Sequence, residues 1–364
     1  MPDPLVTDIV DQALEAACSV GRRADAETSG WSDTIWDVAA EIGMPWISVP
    51  ERYGGVGGSL GDAIAVLEIV GRHAAPLPIA ESGVLAGWLL SSCDLAMEPG
   101  VTTAIPPRRG NVLVVDARSR LSGRVERVPW ARFADHVVGL AIGNDGNTVV
   151  VRFPAAEADI LPGENVAGEP RDTLVLDRVR AHALAVAPAG VSHAELRARG
   201  ALTRVALISG ALARVSTLTN SFTHNRFQFG RPLQSFQAVQ AHIVCGAQQA
   251  ALVALATQGA TSAIQRGARW FELPAAKILA NDAATTAAAA AHQVHGAIGI
   301  TLEYPLQLHT RRLWSWREEY GNSAFWAEVL GCLVADHGAD ELYPIIAGGS
   351  SALSMHSRLM ARKS

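Results

Sequence analysis

Residues 225–240 read NRFQFGRPLQSFQAVQ, a concentration of arginine, phenylalanine and glutamine in a chain otherwise rich in alanine. Arg226 and Arg231 carry forked donors that match a phosphate or pyrophosphate. Phe229 and Phe236 can flank a planar ring. Gln228, Gln234, Gln237 and Gln240 can hydrogen-bond carbonyls, a ribose or an adenine. Gly230-Arg231-Pro232 interrupts the helical pattern, so backbone at this point can approach a ligand closely. The same residues also suit a plain helix–turn–helix with a solvated polar face.

On either side of this stretch the chain is helical in pattern. ELRARGALTRVALISGALARVSTLTNSFTHNR before it, and QAVQAHIVCGAQQAALVALATQGATSAIQ and PAAKILANDAATTAAAAAHQVHG after it, predict three long alanine-rich helices. Small residues on every side suit helices packed tightly on several faces, as in a bundle that also oligomerises. In the first 97 residues, Ile35, Val38, Ala39 and Ile42 recur at helical spacing and Gly43 suits a stop. A glycine-rich turn and a second helix, AIAVLEIVGRHAA, follow. Between 98 and 187 the pattern changes: NVLVVDA, HVVGLAIG and NTVVVRF are β-branched runs separated by turn residues, which predicts a small β domain of hairpins. The expected domains are therefore 1–97, 98–187 and 188–364, with a loose C-terminal tail.

With 364 residues, 49% hydrophobic and 18% charged, the chain can bury a large core over two or three domains. A net charge of -5 gives no basis for nucleic acid as a standing partner. No run is expected to reach the roughly 18 apolar residues of a membrane helix. The acidic start, MPDPLVTDIVDQALEAACSVGRR, lacks the basic region of a secretory signal, so a cytoplasmic protein is expected. The four cysteines are scattered without ligand spacing, which fits reduced thiols. His292 and His295 could share a helix face, but no third ligand stands near them, and no metal is expected. GGVGG at 54–58 lacks the Lys-Ser/Thr and the preceding strand of a phosphate loop.

Three stretches together resemble the acyl-CoA dehydrogenase family. NRFQFGRPLQSFQAVQ is similar to its arginine–x–x–phenylalanine–glycine turn and glutamine-rich helix. QVHGAIGITLEYPLQLHTRR at 293–312 is similar to its glutamine–x–x–glycine–glycine–x–glycine segment and the tyrosine–proline that follows. GMPWISVPERYGGVGGSLGDAIAVLEIVGR at 43–72 resembles its N-terminal helical domain. The resemblance implies a mainly α chain with a small β domain: an N-terminal helical domain, a β middle domain and a C-terminal four-helix bundle. It implies FAD bound between subunits, with Arg226 at the pyrophosphate, Gln228 in place of a hydroxyl donor and Phe229 at an aromatic position. Gln293, Gly296 and Ala297 would line the same cofactor across the interface, Ala297 replacing a second glycine. His295 would fill a packing position.

The family removes an α-proton from an acyl-CoA thioester and passes the β-hydride to flavin. An enolate must be stabilised and a carboxylate held at the α-carbon. In the family the base is a glutamate before a glycine, or a glutamate before an arginine on the first bundle helix. Here WSWREEYGNSAFW places Tyr320 before Gly321, and Thr203 before Arg204. Glu319, one residue upstream, is the candidate base, with Arg204 at the substrate; Glu318 and Glu319 equally suit a solvated helix end. The middle domain lacks a recognisable threonine–glutamate–proline-like strand, although LSGRVERVPWARFADHVVGLA resembles a strand leading into an alanine–aspartate turn. A reduced middle domain and a displaced base resemble the actinobacterial paired-subunit members. Those are α2β2 assemblies with fewer flavin sites than subunits, often acting on steroid side-chain CoA esters. The expected function is an acyl-CoA dehydrogenase subunit, paired with a homologous chain or with itself and reoxidised by an electron-transfer acceptor. The alternatives are a non-catalytic partner that completes another chain's FAD site, and a flavin monooxygenase or oxidase on the same scaffold.

Overall fold

The computed structural model describes residues 3–18, 27–267, 271–338, 340 and 342–348. The tail expected to be loose lies outside them from 349 onward. The fold is mainly helical with one small sheet domain. Contacts divide the chain into two compact units: Met1–Val66 with Ala75–Thr203, and Leu67–Ala74 with Arg204–Leu359.

The first unit opens with α1 (Pro4–Ala17) and α2 (Asp33–Glu41). Ser32 caps α2 by accepting from the Ile35 amide, and Gly43 follows the helix in the left-handed region at φ 72. The turn before α3 (Leu60–His73) needs its glycines for space: a Cβ on Gly55 would stand 2.0 Å from the Val49 carbonyl oxygen. A π-helical run, Ala80–Gly87, leads into α4 (Trp88–Ser91), a buried segment for which the sequence carries no helix signal.

The sheet contains β1 (Thr102–Ala104), β2 (Val112–Val115), β3 (Arg120–Pro129), β4 (His136–Ile142), β5 (Thr148–Pro154), β6 (Asp159–Leu161), β7 (Arg171–Arg180) and β8 (Ala183–Val186). Their order is β6-β7-β3-β2-β4-β5-β8, with β1 pairing β4. The three β-branched runs are β2, β4 and β5. The expectation of simple hairpins is corrected, because β1 and β2 both pair β4 in parallel. One face buries Leu113, Leu121, Val125, Val137, Val151 and Phe153 as a common core. The alanine–aspartate turn is Ala134-Asp135, and the Asp135 carboxylate accepts from the Val101 amide at 2.8 Å.

The second unit is built from α5 (His193–Asn225), whose first turns belong to the other unit, then α6 (Gln237–Gln265), α7 (Glu272–His295), α8 (Leu306–Trp316), α9 (Ser323–His337) and α10 (Leu342–Gly348). The end of α3 joins it through two glycines. A Cβ on Gly71 would lie 2.1 Å from the Leu207 carbonyl oxygen, and one on Gly210 would lie 1.7 Å from that of Glu68. Ser209 Oγ donates to Glu68 Oε1 at 2.7 Å across the same crossing, and burial raises the Glu68 carboxyl above its usual value. α6 and α7 pack side by side, and α7 also receives α8 and α9. Alanines 283, 284, 287, 288, 290 and 291 are all buried, which lets these helices approach closely.

Two of these helices correct an expectation. α5 and α6 each hold a window of mean hydropathy 1.3, long and apolar enough by length and composition to cross a membrane. Alanine produces the effect: it raises hydropathy over long stretches without the large apolar side chains that make such runs visible. In α5 that window is 72% buried within the fold, whereas in α6 it is 6% buried.

Candidate functional site

The stretch at 225–240 folds as a tight hairpin. β9 (Phe227–Gln228) pairs antiparallel with β10 (Arg231–Pro232), and the two residues between them, Phe229 and Gly230, have φ 52 and 78. Positive φ at both central positions is the geometry of a type I′ turn. Glycine takes it freely; phenylalanine does so at a cost of about 1 kcal/mol or more. The strained ring is 90% exposed, and Phe227 beside it is 62% exposed. Phe236 meets the Phe229 ring edge-on at 6.1 Å.

The polar residues of this hairpin divide into two sets. Gln240 Nε2 donates to the Gln234 carbonyl at 3.0 Å, and Gln234 Nε2 meets His224 Nδ1 at 3.0 Å, so these two glutamines tether the hairpin to the helix ends. Arg231 stacks over Phe236 at 4.1 Å. Arg226 and Gln228 are exposed, and the Arg226 side chain makes no hydrogen bond or ion pair among the described residues. A guanidinium at the base of the hairpin, an amide on its first strand and an exposed aromatic ring at its tip are thus left at the surface.

An aromatic cluster ties this end of α5 to the turn after α7. Phe222, one helical turn before Arg226, stacks on His295 at 4.4 Å, and the Tyr304 ring stands 5.0 Å from His295. His295 Nδ1 is bonded to the Ala291 carbonyl at 2.8 Å and Nε2 to the Tyr304 hydroxyl at 3.3 Å. Burial lowers its pKa, which favours the neutral ring for stacking. His292 shares a hydrogen bond with Thr310 instead. Gln293, Gly296 and Ala297 lie at or near the surface just beyond the cluster, with Gly296 at φ 61 and open space where a Cβ would be.

The third group lies deeper in the same unit. Arg204 Nε donates to Glu319 Oε2 at 2.6 Å; the arginine side chain is 1% exposed and the glutamate 11%. The guanidinium also lies over the Tyr320 ring at 5.0 Å. Glu319 therefore does not sit at a solvated helix end, whereas Glu318, paired with Arg317 at 3.1 Å, is largely exposed. The turn bearing Glu319 is held from both sides. Trp326 donates its indole N–H to the Tyr320 carbonyl at 3.1 Å, and Asn322 caps α9 through the Phe325 amide.

Lys277 was not among the residues marked by sequence. It is fully buried, donates to Asn281 Oδ1, Trp316 O and Arg317 O at 2.5, 3.2 and 3.1 Å, and burial lowers its pKa to about 7. Its one sequence signal is a lone lysine four residues before an asparagine in an alanine-rich helix.

The acyl-CoA dehydrogenase N-terminal domain profile matches residues 6–92, and the acyl-CoA dehydrogenase C-terminal domain profile matches residues 197–330. The acyl-CoA dehydrogenase IpdE2 of Mycolicibacterium smegmatis is 27% identical over 80% of this chain and 85% of its own length. Among solved structures, the ChsE4-ChsE5 complex from Mycobacterium tuberculosis superposes with TM-score 0.85 at 21% identity, covering 93% of this chain and 99% of the matched one. A structure described as a variant of the Tcur3481-Tcur3483 steroid ACAD gives TM-score 0.80 at 25% identity, covering 91% and 97%.

Proposed function

The chain belongs to the acyl-CoA dehydrogenase family, and from that premise we propose that it is one subunit of a paired, FAD-dependent assembly that desaturates an acyl-CoA thioester between its α and β carbons. The observation that carries this reading is the hairpin: at its base an arginine whose side chain has no partner among the described residues, and at its tip an exposed phenylalanine with positive φ. An exposed ring and an unpaired guanidinium on one hairpin fit a surface that a cofactor and a second chain cover.

The residues suit the cofactor. Arg226 would hold its pyrophosphate, a group that a planar guanidinium suits best. Gln228 and Gln293 add amide donors and acceptors, Phe229 offers a ring face, and Gly296 leaves backbone open beside the methyl of Ala297. Bound FAD would supply the acceptor for the β-hydride. This chain's contribution to proton removal centres on Glu319, a largely covered carboxylate at the family's base register but for one residue. Its charge is balanced by Arg204, so accepting an α-proton means giving up that ion pair.

The partner is a homologous subunit or a second copy. No residue in the N-terminal half of α6 is buried, and Val244, Leu252 and Leu255 along α6 are exposed, an apolar face of the kind that oligomers cover. Steroid side-chain CoA esters are the proposed substrate class, supported by the relative described as a steroid ACAD. An electron-transfer acceptor would reoxidise the assembly.

A second reading has its own observation. The Arg204–Glu319 ion pair would persist in a chain that only completes its partner's FAD site while the partner supplies the base. Purifying the chain alone and with its genomic neighbour tests both. Flavin retained and bleached by acyl-CoA only in the pair supports sharing with a homologous subunit; full turnover by the lone chain makes the partner a second copy, and flavin in neither preparation overturns the proposal.

A further inference from the structure

Burying a lysine is expensive, and an apolar side chain of similar length would pack in its place with far less desolvation. Lys277 is nevertheless 0% exposed in the second turn of α7. All three of its N–H donors have acceptors, at 2.5, 3.2 and 3.1 Å, which is the complement of an ammonium. Only one acceptor, Asn281, is on its own helix. The other two are the carbonyls of Trp316 and Arg317, the last residue of α8 and its C-cap. A cation there meets the negative end of the helix. The Trp316 carbonyl also takes the Glu319 amide at 3.3 Å, so the lysine and the Glu319 backbone share one acceptor.

We infer that Lys277 is a positioning residue: it clamps the Arg317–Gly321 turn and so sets Glu319 against Arg204, without itself reaching substrate or cofactor. The clamp follows from geometry alone; its bearing on turnover rests on the function proposed for Glu319. The charges that face the ammonium act in both directions. After burial, Glu319 and Glu318 favour its proton, while Arg204 and Arg317 oppose it. With the pKa brought down to about 7, the amine in the closed turn gives up one proton near neutrality and keeps two N–H donors.

Hydrogen exchange on the full chain tests this without flavin or acyl-CoA, so it stands or falls separately from the proposed activity. In Lys277→Met, amides of 317–321 should exchange at least about tenfold faster, because both hydrogen bonds to the Trp316 and Arg317 carbonyls are lost, while peptides from α6 keep their wild-type rates. In the wild type, protection of that turn, corrected for intrinsic exchange, should rise with pH between about 7 and 8.5, because opening returns the lysine to water and to its ordinary pKa, and the variant should lack this step. Unchanged protection in the variant, or equal loss in every helix of the unit, overturns the inference. Should Lys277→Met fail to fold, Lys277→Gln decides: exchange at 317–321 as slow as in the wild type contradicts the clamp.

Discussion

Arg204 and Glu319 lie 115 positions apart in sequence and meet at 2.6 Å, with the guanidinium sealed from solvent. Removing one member of such a pair leaves the other charged and buried, a loss of about 3–5 kcal/mol, whereas removing both together is far milder. Arg204→Met should therefore lower unfolding free energy by about 3 kcal/mol in urea, and Arg204→Met with Glu319→Gln should recover at least half. Additive losses would mean that the two side chains do not compensate each other.

Glu319→Gln addresses the chemistry. The amide keeps the shape and removes the proton acceptor, so flavin bleaching by an acyl-CoA should slow about a hundredfold or more while bound FAD is unchanged. Bleaching at the wild-type rate would move the base to the partner subunit.

Lys277 gives the fold a pH signature. Its folded pKa of about 7 lies below the ordinary lysine value of 10.5, so between these values the unfolded chain binds more protons than the native one. Stability then rises with pH in that window, by up to about 1.4 kcal/mol per pH unit from this group, and its burial penalty is largest below pH 7. Wild type minus Lys277→Met, measured by denaturation from pH 7 to 9, should show that slope. A flat difference would mean the lysine keeps its proton throughout.

Phe229 separates folding from binding. Glycine at this positive-φ position relieves backbone strain, so Phe229→Gly should leave the chain equally stable or more stable by up to about 1 kcal/mol. Flavin retention in the assembled protein should fall, because the exposed ring is gone. Loss of stability with unchanged flavin would make the ring a packing residue.

The α3–α5 crossing leaves no room for a methyl. Gly210→Ala would drive a Cβ into the Glu68 carbonyl at 1.7 Å, and about 3 kcal/mol or more of stability should be lost. Calorimetry showing a shift within error would mean that the helices separate freely.

How much of this was legible in sequence varied with the physics. α2 announced itself through apolar spacing and Gly43, and β2, β4 and β5 through their valines. β1 is three residues long, β8 is half alanine, and the bulge between Leu176 and Val179 breaks the alternation of β7. The Gly-Arg-Pro interruption at 230–232 was visible, but a type I′ turn was not, since phenylalanine is a poor residue for its first position. The Arg204–Glu319 contact depends on tertiary distance. Lys277 reads as a surface residue in an alanine helix, and burial alone reveals its role.

The central claim is that Arg226 grips FAD at a boundary with a second subunit. The most direct test is flavin content per protomer after co-purification with the homologous partner chain, for wild type and Arg226→Ala. The account predicts that the variant loses most of its FAD while its stability as apoprotein moves by no more than the roughly 0.5 kcal/mol typical of an exposed substitution. Equal flavin in both proteins would contradict it.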